Sequence, residues 1–430
     1  MSTPASRAPG SGYVDDVGYP DHFHRELMPG WLHATATALG HDAATPGAGY
    51  RWLELGCGHG LSTLVAAATH PDAHFTGVDF NPAQVDAARA AARAAGLANV
   101  EFIVADLRDF ASRDNIGRFD CIVSHGVWSW VEPSVREAML HVFGEHLLPG
   151  GLAMLAYMSH PGASQMQAVH KLMREAARFG SGDAAARTVP GMALLRGLAE
   201  GGAGFFAEHA GARHQLQAMA AESPAYLAHE FLGQHWEPQH SADVLGAFAV
   251  RGCDFIGSAT PQENIDAVSI PGALQPLLGR LPPGPLAETV RDLARNQSLR
   301  RDLFQKQARP LAAAAHVAAL DAITWTALAA APASGELVFD TRIGPVAGPA
   351  AMFAPALQAL AAGPCRFATL RQLPAYAGQP GLLNQVLQML AWAGLAHPCR
   401  PRPHAVAPPL PMPPGLALRM DAGTACAASP

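Results

Sequence analysis

Acidic residues stand at the ends of three apolar runs, and a glycine-rich turn follows the first of them. The segment LELGCGHG, residues 53–60, places Glu54 before Gly56, Cys57, Gly58 and Gly60. Asp79 ends the run HFTGVD, and Asp106 ends VEFIVAD. Glycines let the backbone turn sharply and approach a ligand closely, because they carry no Cβ. Carboxylates beside such a turn can accept hydrogen bonds from a ligand, although an isolated aspartate at a strand end often only caps a helix.

The spacing of the glycines separates the candidate ligands. A nicotinamide site requires G-x-G-x-x-G, whose third glycine would fall at residue 61, which is Leu61. No lysine follows the loop, so it is not a phosphate-binding P-loop. The spacing G-x-G-x-G is similar to that of class I S-adenosylmethionine-dependent methyltransferases. This resemblance implies that S-adenosyl-L-methionine is the cofactor.

The same resemblance implies a role for each strand-end residue. Asp79 would accept hydrogen bonds from both ribose hydroxyls, and Phe80 would cover one face of the adenine. Asp106 would reach the adenine amino group, and Leu107 follows it in the same cofactor-binding turn. His125 and Gly126, after the fourth strand, would flank the sulfonium methyl group.

Short apolar runs alternate with alanine-rich helical stretches between Arg51 and Tyr157, which is typical of β-α-β units. The predicted strands are 51–55, 74–79, 100–106, 119–125 and 152–157, with helices near 61–69, 82–95 and 133–147. The fold class is therefore α/β, a doubly wound Rossmann-like sheet. Ligands of such sheets bind at the carboxyl ends of the strands, where each of these motifs lies.

Two tryptophans follow the fourth predicted strand in RFDCIVSHGVWSWVEP, residues 118–133. Trp128 and Trp130 could pack in the core or could wall an acceptor pocket, and Trp128, nearer the strand end, is the leading candidate for the pocket. An apolar pocket lowers the pKa of a lysine, and aromatic faces attract cations. His125 could act as a base or could only hydrogen-bond the cofactor or its own loop.

Several longer motifs extend the resemblance to bacterial methyltransferases that carry a regulatory domain, including protein lysine methyltransferases of outer-membrane proteins. These motifs are Tyr19-Pro20, SHGVWSWVEP (124–133), YMSHPG (157–162), YLAHEFLGQHWEP (226–238) and a helix DLARNQSLRRDLF (292–304). Two positions depart from the family pattern: Trp128 replaces a usual tyrosine, and Met158 an expected asparagine. The second departure puts in doubt any acceptor contact from that turn.

The resemblance and the composition of the chain together suggest a division into domains. It comprises an N-terminal arm (1–28), the cofactor domain (29–162), a helical insert implied to dimerise (163–222), a middle regulatory domain (223–330), a winged-helix-like C-terminal domain (331–400) and a proline-rich tail (401–430). Within the middle region we predict a charged helix over 286–305. Its arginines at 291, 295, 300 and 301 are expected on a solvated or interdomain face.

Composition excludes several classes of function. The net charge of −6 argues against a broad nucleic-acid-binding face. Six scattered cysteines without a CxxC pair argue against a disulfide framework or a structural zinc site. The spacing HExxxxH at His229-Glu230 and His235 differs from the HExxH zinc motif, so we predict packing or hydrogen bonding there and no metal. No apolar stretch reaches the ~20 residues that span a bilayer, and we expect a cytoplasmic protein.

The sequence thus predicts an S-adenosylmethionine-dependent N-methyltransferase, and the resemblance favours lysine side chains of a protein, possibly a surface protein, as acceptors. One alternative is a small-molecule methyltransferase for a natural product. Another is a regulatory protein that binds the cofactor without catalysis. In every case removal of the proline-rich tail is expected to leave cofactor binding intact.

Overall fold

The computed structural model describes residues 12, 14, 16–17, 22–332 and 336–399. Tyr19-Pro20, Cys426 and the proline-rich tail lie outside these residues. Within the described part of the chain, no helix is long and apolar enough to cross a membrane.

A seven-stranded sheet forms the centre of the molecule, in the order β3-β2-β1-β4-β5-β7-β6. Its first five strands run parallel to their neighbours, and β7 pairs antiparallel with both β5 and β6. The strands are β1 (Arg51–Leu55), β2 (His74–Asp79), β3 (Val100–Val104), β4 (Phe119–Ser124), β5 (Leu147–Met158), β6 (Cys253–Ser258) and β7 (Leu299–Lys306). The predicted doubly wound α/β fold is confirmed.

Successive residues of a strand point to opposite faces of the sheet, and here the residues on both faces are apolar. Helices therefore cover both faces. Trp52, Phe75 and Cys121 face one buried cluster, while Leu53 and Ile122 face the other. The helices nearest the cofactor strands are α1 (Pro29–Ala38), α2 (Leu61–Thr69), α3 (Pro82–Ala94), α4 (Leu107–Ala111) and α5 (Pro133–His146). Helices α2, α3 and α5 each lie within a residue of their predictions, whereas α4 was not predicted.

The helical insert follows β5 and forms a third core cluster. Its helices are α6 (Met166–Ala177), α7 (Ala184–Arg187), α8 (Val189–Glu200), α9 (Gly204–Glu208) and α10 (Ala210–Ala221), and α11 (Pro224–Phe231), just past the predicted boundary at residue 222, packs in the same cluster. Trp130, from the loop after β4, is buried in the same cluster as Leu227 and Phe231 of α11. The insert is therefore joined to the end of β4 by apolar packing.

The region predicted as a separate middle domain contributes to the central sheet. It holds α12 (Ser241–Val250), β6, α13 (Asp266–Ser269), α14 (Gln275–Leu278), α15 (Pro285–Arg295) and β7. Because β7 pairs with β5 from Leu152 to Met158, the sheet crosses the predicted boundary at residue 162.

The predicted helices over 286–305 and 292–304 are wrong in their second half. Helix α15 ends where Asn296 adopts a left-handed conformation (φ 49°), and the chain then enters β7. Of the two faces expected for its arginines, the solvated one is wrong for Arg295 and Arg300, which are buried, and the interdomain one stays a prediction. Arg300 pairs with Glu288, Asp292 and Asp302 at 2.9, 2.5 and 2.8 Å.

The C-terminal region packs against α1 through buried side chains. It comprises α16 (Ala313–Ala322), β8 (Thr324–Ala327), β9 (Leu337–Thr341), β10 (Gly344–Gly348), α17 (Ala350–Ala361), β11 (Cys365–Arg366), α18 (Phe367–Leu370), α19 (Pro380–Trp392) and β12 (Ala396–Cys399). Strands β11, β8 and β12 form an antiparallel sheet, and β9 and β10 form a hairpin. The alanine-rich helix α16 ends at Ala322, and β8 begins two residues later at Thr324. The winged-helix-like description stays a prediction.

Candidate functional site

A cavity of about 190 Å³ opens where β1, β2 and β4 end. Eleven of the thirteen predicted site residues line it: Glu54, Gly56, Cys57, Gly58, Asp79, Phe80, Asp106, Leu107, His125, Gly126 and Trp130. The strand ends therefore bring together residues that are up to 76 positions apart in the chain (130 − 54 = 76).

The glycine loop after β1 forms one wall of the cavity. Gly56, Gly58 and Gly60 have φ values of 79°, 54° and 73°, a left-handed region that disfavours residues with a Cβ. Gly60 does not line the cavity, and a Cβ there would clash with the Phe102 ring. Its role is therefore to let α2 start close to β3, whereas Gly56 and Gly58 border the cavity itself.

Asp79 holds the loop in place from the end of β2. Its carboxylate accepts hydrogen bonds from the backbone N–H groups of Gly58 and Asn81, each at 2.9 Å. The side chain is buried, and this burial raises the pKa of its carboxyl group despite these two bonds. Asp79 thus links the ends of β1 and β2 and still borders the cavity.

Glu54 is buried at the end of β1 and accepts a hydrogen bond from the hydroxyl of Thr63. Burial raises the pKa of its carboxyl group to about 8, with the Asp79 carboxylate adding to the effect. Near neutral pH this carboxyl group therefore holds a proton for most of the time in the ligand-free protein.

Asp106 is paired with Arg108, a residue that the sequence analysis did not single out. The Asp106 carboxylate accepts hydrogen bonds from the Arg108 side chain, from Nε at 2.9 Å and from Nη2 at 2.8 Å. It also accepts one from the backbone N–H of Arg108 at 2.8 Å. These bonds lower the pKa of Asp106. Arg108 also pairs with Glu132, so three charged side chains form the rim of the cavity.

Histidines form another part of the lining. The rings of His24 and His125 are stacked with centroids 3.6 Å apart, and His22 lies 6.3 Å from His24. Burial lowers the pKa of His24 to about 4 and that of His125 well below its usual range, with Arg301 nearby adding to both shifts. The pair is therefore neutral at physiological pH, which makes His125 a weak proton acceptor.

The two tryptophans have different surroundings, and the preference for Trp128 is wrong. Trp128 is buried in the core with its ring 6.3 Å from that of Phe248, and it does not line the cavity. Trp130 lines the cavity. The residues form a 3₁₀ turn, Trp128–Trp130, instead of the extended strand that would have placed both rings on one face.

Comparisons with known proteins agree with this geometry. Residues 53–151 match the methyltransferase domain family, and residues 223–306 match the predicted methyltransferase regulatory domain. The chain is a class I S-adenosylmethionine-dependent methyltransferase. Its cofactor is S-adenosyl-L-methionine.

Individual relatives cover different parts of this methyltransferase. The uncharacterized protein sll1526 of Synechocystis is 29% identical over 391 residues, covering 90% of this chain and 76% of that protein. PKMT2 from Rickettsia typhi, solved in complex with AdoHcy, has a similar fold with a TM-score of 0.71 at 19% identity, covering 91% of this chain and 79% of that one. A trans-aconitate 2-methyltransferase of Streptomyces avermitilis is 35% identical over 130 residues, covering 30% of this chain and 44% of that enzyme.

The residues of the methyltransferase cavity fit the chemistry of the cofactor. Gly56 and Gly58 border the cavity with left-handed backbones, a Cβ at Gly56 would collide with Val127, and the Asp79 carboxylate offers acceptors for ribose hydroxyls. Phe80, a partly exposed aromatic side chain, provides a flat surface beside them. S-adenosylmethionine, when bound, supplies a methyl group activated by its positively charged sulfur.

Sequence reasoning missed part of the cavity lining. His22, His24, Arg108, Val127, Val131, Glu132 and Val135 border it as well. The pattern HFH at 22–24 precedes the sheet by more than 20 residues, and only tertiary structure places it against β4. The sequence could have indicated the role of Arg108, because it lies two positions after the helix-capping Asp106 and can pair with it.

The HExxxxH segment is placed on α11 and in the loop after it. His229 Nε2 lies 3.0 Å from the carbonyl oxygen of Val17, in the N-terminal arm. Glu230 follows on the same helix, and the described residues bring no other ligand-bearing side chains around them in a metal-binding group.

Proposed function

We propose that this methyltransferase transfers methyl groups to lysine side-chain amines of a protein. The observation that carries the proposal is the uncharged lining beside the cofactor residues. There Trp130, Val131 and Val135 border the cavity together with the neutral pair of His24 and His125. An ammonium group that enters such surroundings has its pKa lowered, and the neutral amine is the form that attacks the methyl group.

The similarity to PKMT2 over 91% of the chain supports this proposal, since its abbreviation denotes a protein lysine methyltransferase. The sequence motifs at 124–133 and 226–238 also support protein lysine side chains as the methyl acceptors. Both motifs contribute to one apolar cluster, which contains Trp130, Leu227 and Trp236.

We assign the cofactor contacts as part of the proposal. Asp79 accepts from the ribose hydroxyls, Phe80 and Leu107 cover the adenine, and Asp106 binds the adenine amino group while paired with Arg108. Glu54, Gly56, Cys57 and Gly58 surround the methionine part, and His125 and Gly126 lie next to the methyl group. The protein's contribution to rate is to hold the two reactants in line.

The test is transfer of labelled methyl groups to an extract of outer-membrane proteins, followed by mass spectrometry of tryptic peptides. The proposal predicts methylated lysines with the intact chain and none with an Asp79→Ala control. Label found only in small molecules would instead support the small-molecule alternative. Cofactor binding without transfer to any extract would contradict the proposal.

A further inference from the structure

Arg25 connects the C-terminal region to the short segment that contributes His24 to the cavity. Its guanidinium group donates one hydrogen bond to the Ala391 carbonyl at 3.0 Å and another to the Trp392 carbonyl at 2.7 Å. Both carbonyls belong to the last turn of α19. Carbonyls at a helix C-terminus lack partners within the helix and attract positive charge. Arg25 therefore joins the end of α19 to the residues that precede α1.

Further contacts fix the Arg25 side chain. Its guanidinium carbon lies 4.7 Å from the centre of the Trp31 ring, and its Nε lies 3.7 Å from a Glu26 carboxylate oxygen. Trp31 is itself buried, and its indole N–H donates a hydrogen bond to the Ala259 carbonyl at 2.8 Å. Only 18% of the Arg25 side chain is exposed. The side chain is therefore held at the end of α19.

His24, the residue before Arg25, forms part of the cavity wall. Its ring stacks on that of His125, with an angle of 21° between the ring planes. Its carbonyl accepts a hydrogen bond from the backbone N–H of Leu27 at 3.1 Å, across the 3₁₀ turn Arg25–Leu27. Leu27 is fully buried in the same core cluster as Ala391. The position of the His24 ring therefore depends on where this turn is held.

The His125 ring depends in turn on His24. Its Nε2 has no hydrogen-bond partner among the described residues, so stacking on His24 is the contact that orients the ring. The next residue, Gly126, has a left-handed backbone (φ 72°), and no atom lies within 4 Å of the position that a Cβ would take. Neighbouring atoms therefore restrain this part of the wall weakly.

We infer that Arg25 is a positioning residue through which the C-terminal region sets the cavity wall beside the methyl group. The end of α19 holds Arg25, the turn that begins at Arg25 places His24, and His24 orients His125 by stacking. The inference rests on the proposed function for one assignment, the position of His125 next to the methyl group. Small displacements there are costly, because in-line transfer requires precise alignment of the reactants.

Reactivity toward diethyl pyrocarbonate tests the first link and requires no acceptor. Arg25→Met keeps a long side chain and removes its donors. Acylation of His24 and His125, followed by mass spectrometry, should be about fivefold faster in Arg25→Met than in the intact chain, because the stacked pair is released.

Asn384→Ala is the matched control for the docking of α19. The Asn384 side chain donates a hydrogen bond to the Ala38 carbonyl at 2.9 Å, and so joins α19 to the end of α1 about two helical turns before Ala391. In this variant both histidines should be acylated at a rate within twofold of that in the intact chain. Equal rates in all three proteins, or an equal rise in both variants, would overturn the inference.

Kinetics with synthetic peptides that each contain a single lysine test the second link. In Arg25→Met, kcat should fall at least tenfold. S-adenosylhomocysteine should still bind in calorimetry with unchanged stoichiometry and an affinity within twofold of that of the intact chain. If Arg25 only stabilised the fold, the stoichiometry would fall and kcat would fall in the same proportion, which would overturn the inference. Asn384→Ala should keep kcat within twofold.

A double-variant cycle shows whether Arg25 acts through His24. His24→Ala should lower kcat by itself, and adding Arg25→Met should change kcat by less than about twofold, because the link is already broken. Losses that multiply in the double variant would overturn the inference while leaving lysine methylation standing. Absence of peptide and extract methylation by the intact chain would instead overturn the proposed function, and the acylation rates would still decide whether Arg25 holds His24 against His125.

Discussion

At the scale of single residues, Asp79 joins two strand ends and offers its carboxylate to the cavity. Replacement by alanine removes both the loop contact and the proposed ribose acceptors. Asp79→Ala should weaken cofactor binding at least tenfold, a loss of ~1.4 kcal/mol or more. Calorimetry with S-adenosylhomocysteine measures this, and Asp86→Ala, an exposed carboxylate of α3, is the control that should bind normally. Unchanged affinity in Asp79→Ala would rule out the assignment.

Because of Glu54, the free energy of unfolding of the protein should fall as the pH rises. Its pKa is raised from 4.5 to about 8, so the folded state keeps a proton that the unfolded chain loses. The free energy of unfolding therefore falls as the pH rises between these two values. Relative to Glu54→Gln, the intact chain should lose more than about 1 kcal/mol between pH 5 and pH 8. Urea unfolding of both proteins at both pH values measures this. An equal loss of unfolding free energy in the intact chain and in Glu54→Gln would contradict a buried Glu54 carboxyl group with a raised pKa.

Trp128 and Trp130 show how much of the cavity wall could be predicted from the sequence. The sequence correctly indicates that the end of β4 faces the cavity, because both His125 and Gly126 line it. It cannot indicate which indole enters, since that depends on the backbone path after the strand. The 3₁₀ turn directs Trp128 toward Phe248 and Trp130 toward the helical insert.

At the scale of elements, the buried cluster around Arg300 attaches α15 to β7. Arg300→Leu leaves the carboxylates of Glu288, Asp292 and Asp302 without their common partner. Breaking a buried ion pair in this way costs about 3–5 kcal/mol. The urea midpoint should fall accordingly, whereas Arg291→Ala, which removes a more exposed arginine of α15, should lower the free energy of unfolding by about 1 kcal/mol. Equal losses in both variants would contradict the cluster's role.

The same cluster explains why β7 was not predicted. β1 to β5 are recognisable because buried parallel strands are continuous apolar runs. β7 reads LRRDLFQK, and its Arg300 and Asp302 are buried as an ion pair, so the apolar pattern of a core strand is missing. Local periodicity therefore predicted a continuing helix where tertiary pairing with β5 decides the structure.

At the scale of the whole molecule, the matched methyltransferase and regulatory regions share one sheet. β7 covers the edge of β5 from Leu152 to Met158, and its Phe304 stacks on Phe248 at 4.0 Å. A chain ending at Gly162 should therefore be insoluble or unfolded, whereas one ending at Cys399 should fold. Circular dichroism and cofactor binding measure this. A chain of 162 residues that folds and binds the cofactor would contradict the shared sheet.

The central claim is that one cavity holds the cofactor and presents its methyl group to an amine. A crystal structure with bound S-adenosylhomocysteine tests it most directly. We predict the ribose hydroxyls on Asp79, the adenine beside Phe80, and the sulfur facing the wall that contains His125 and Trp130. A ligand bound elsewhere, or a sulfur turned away from Trp130, would contradict the claim.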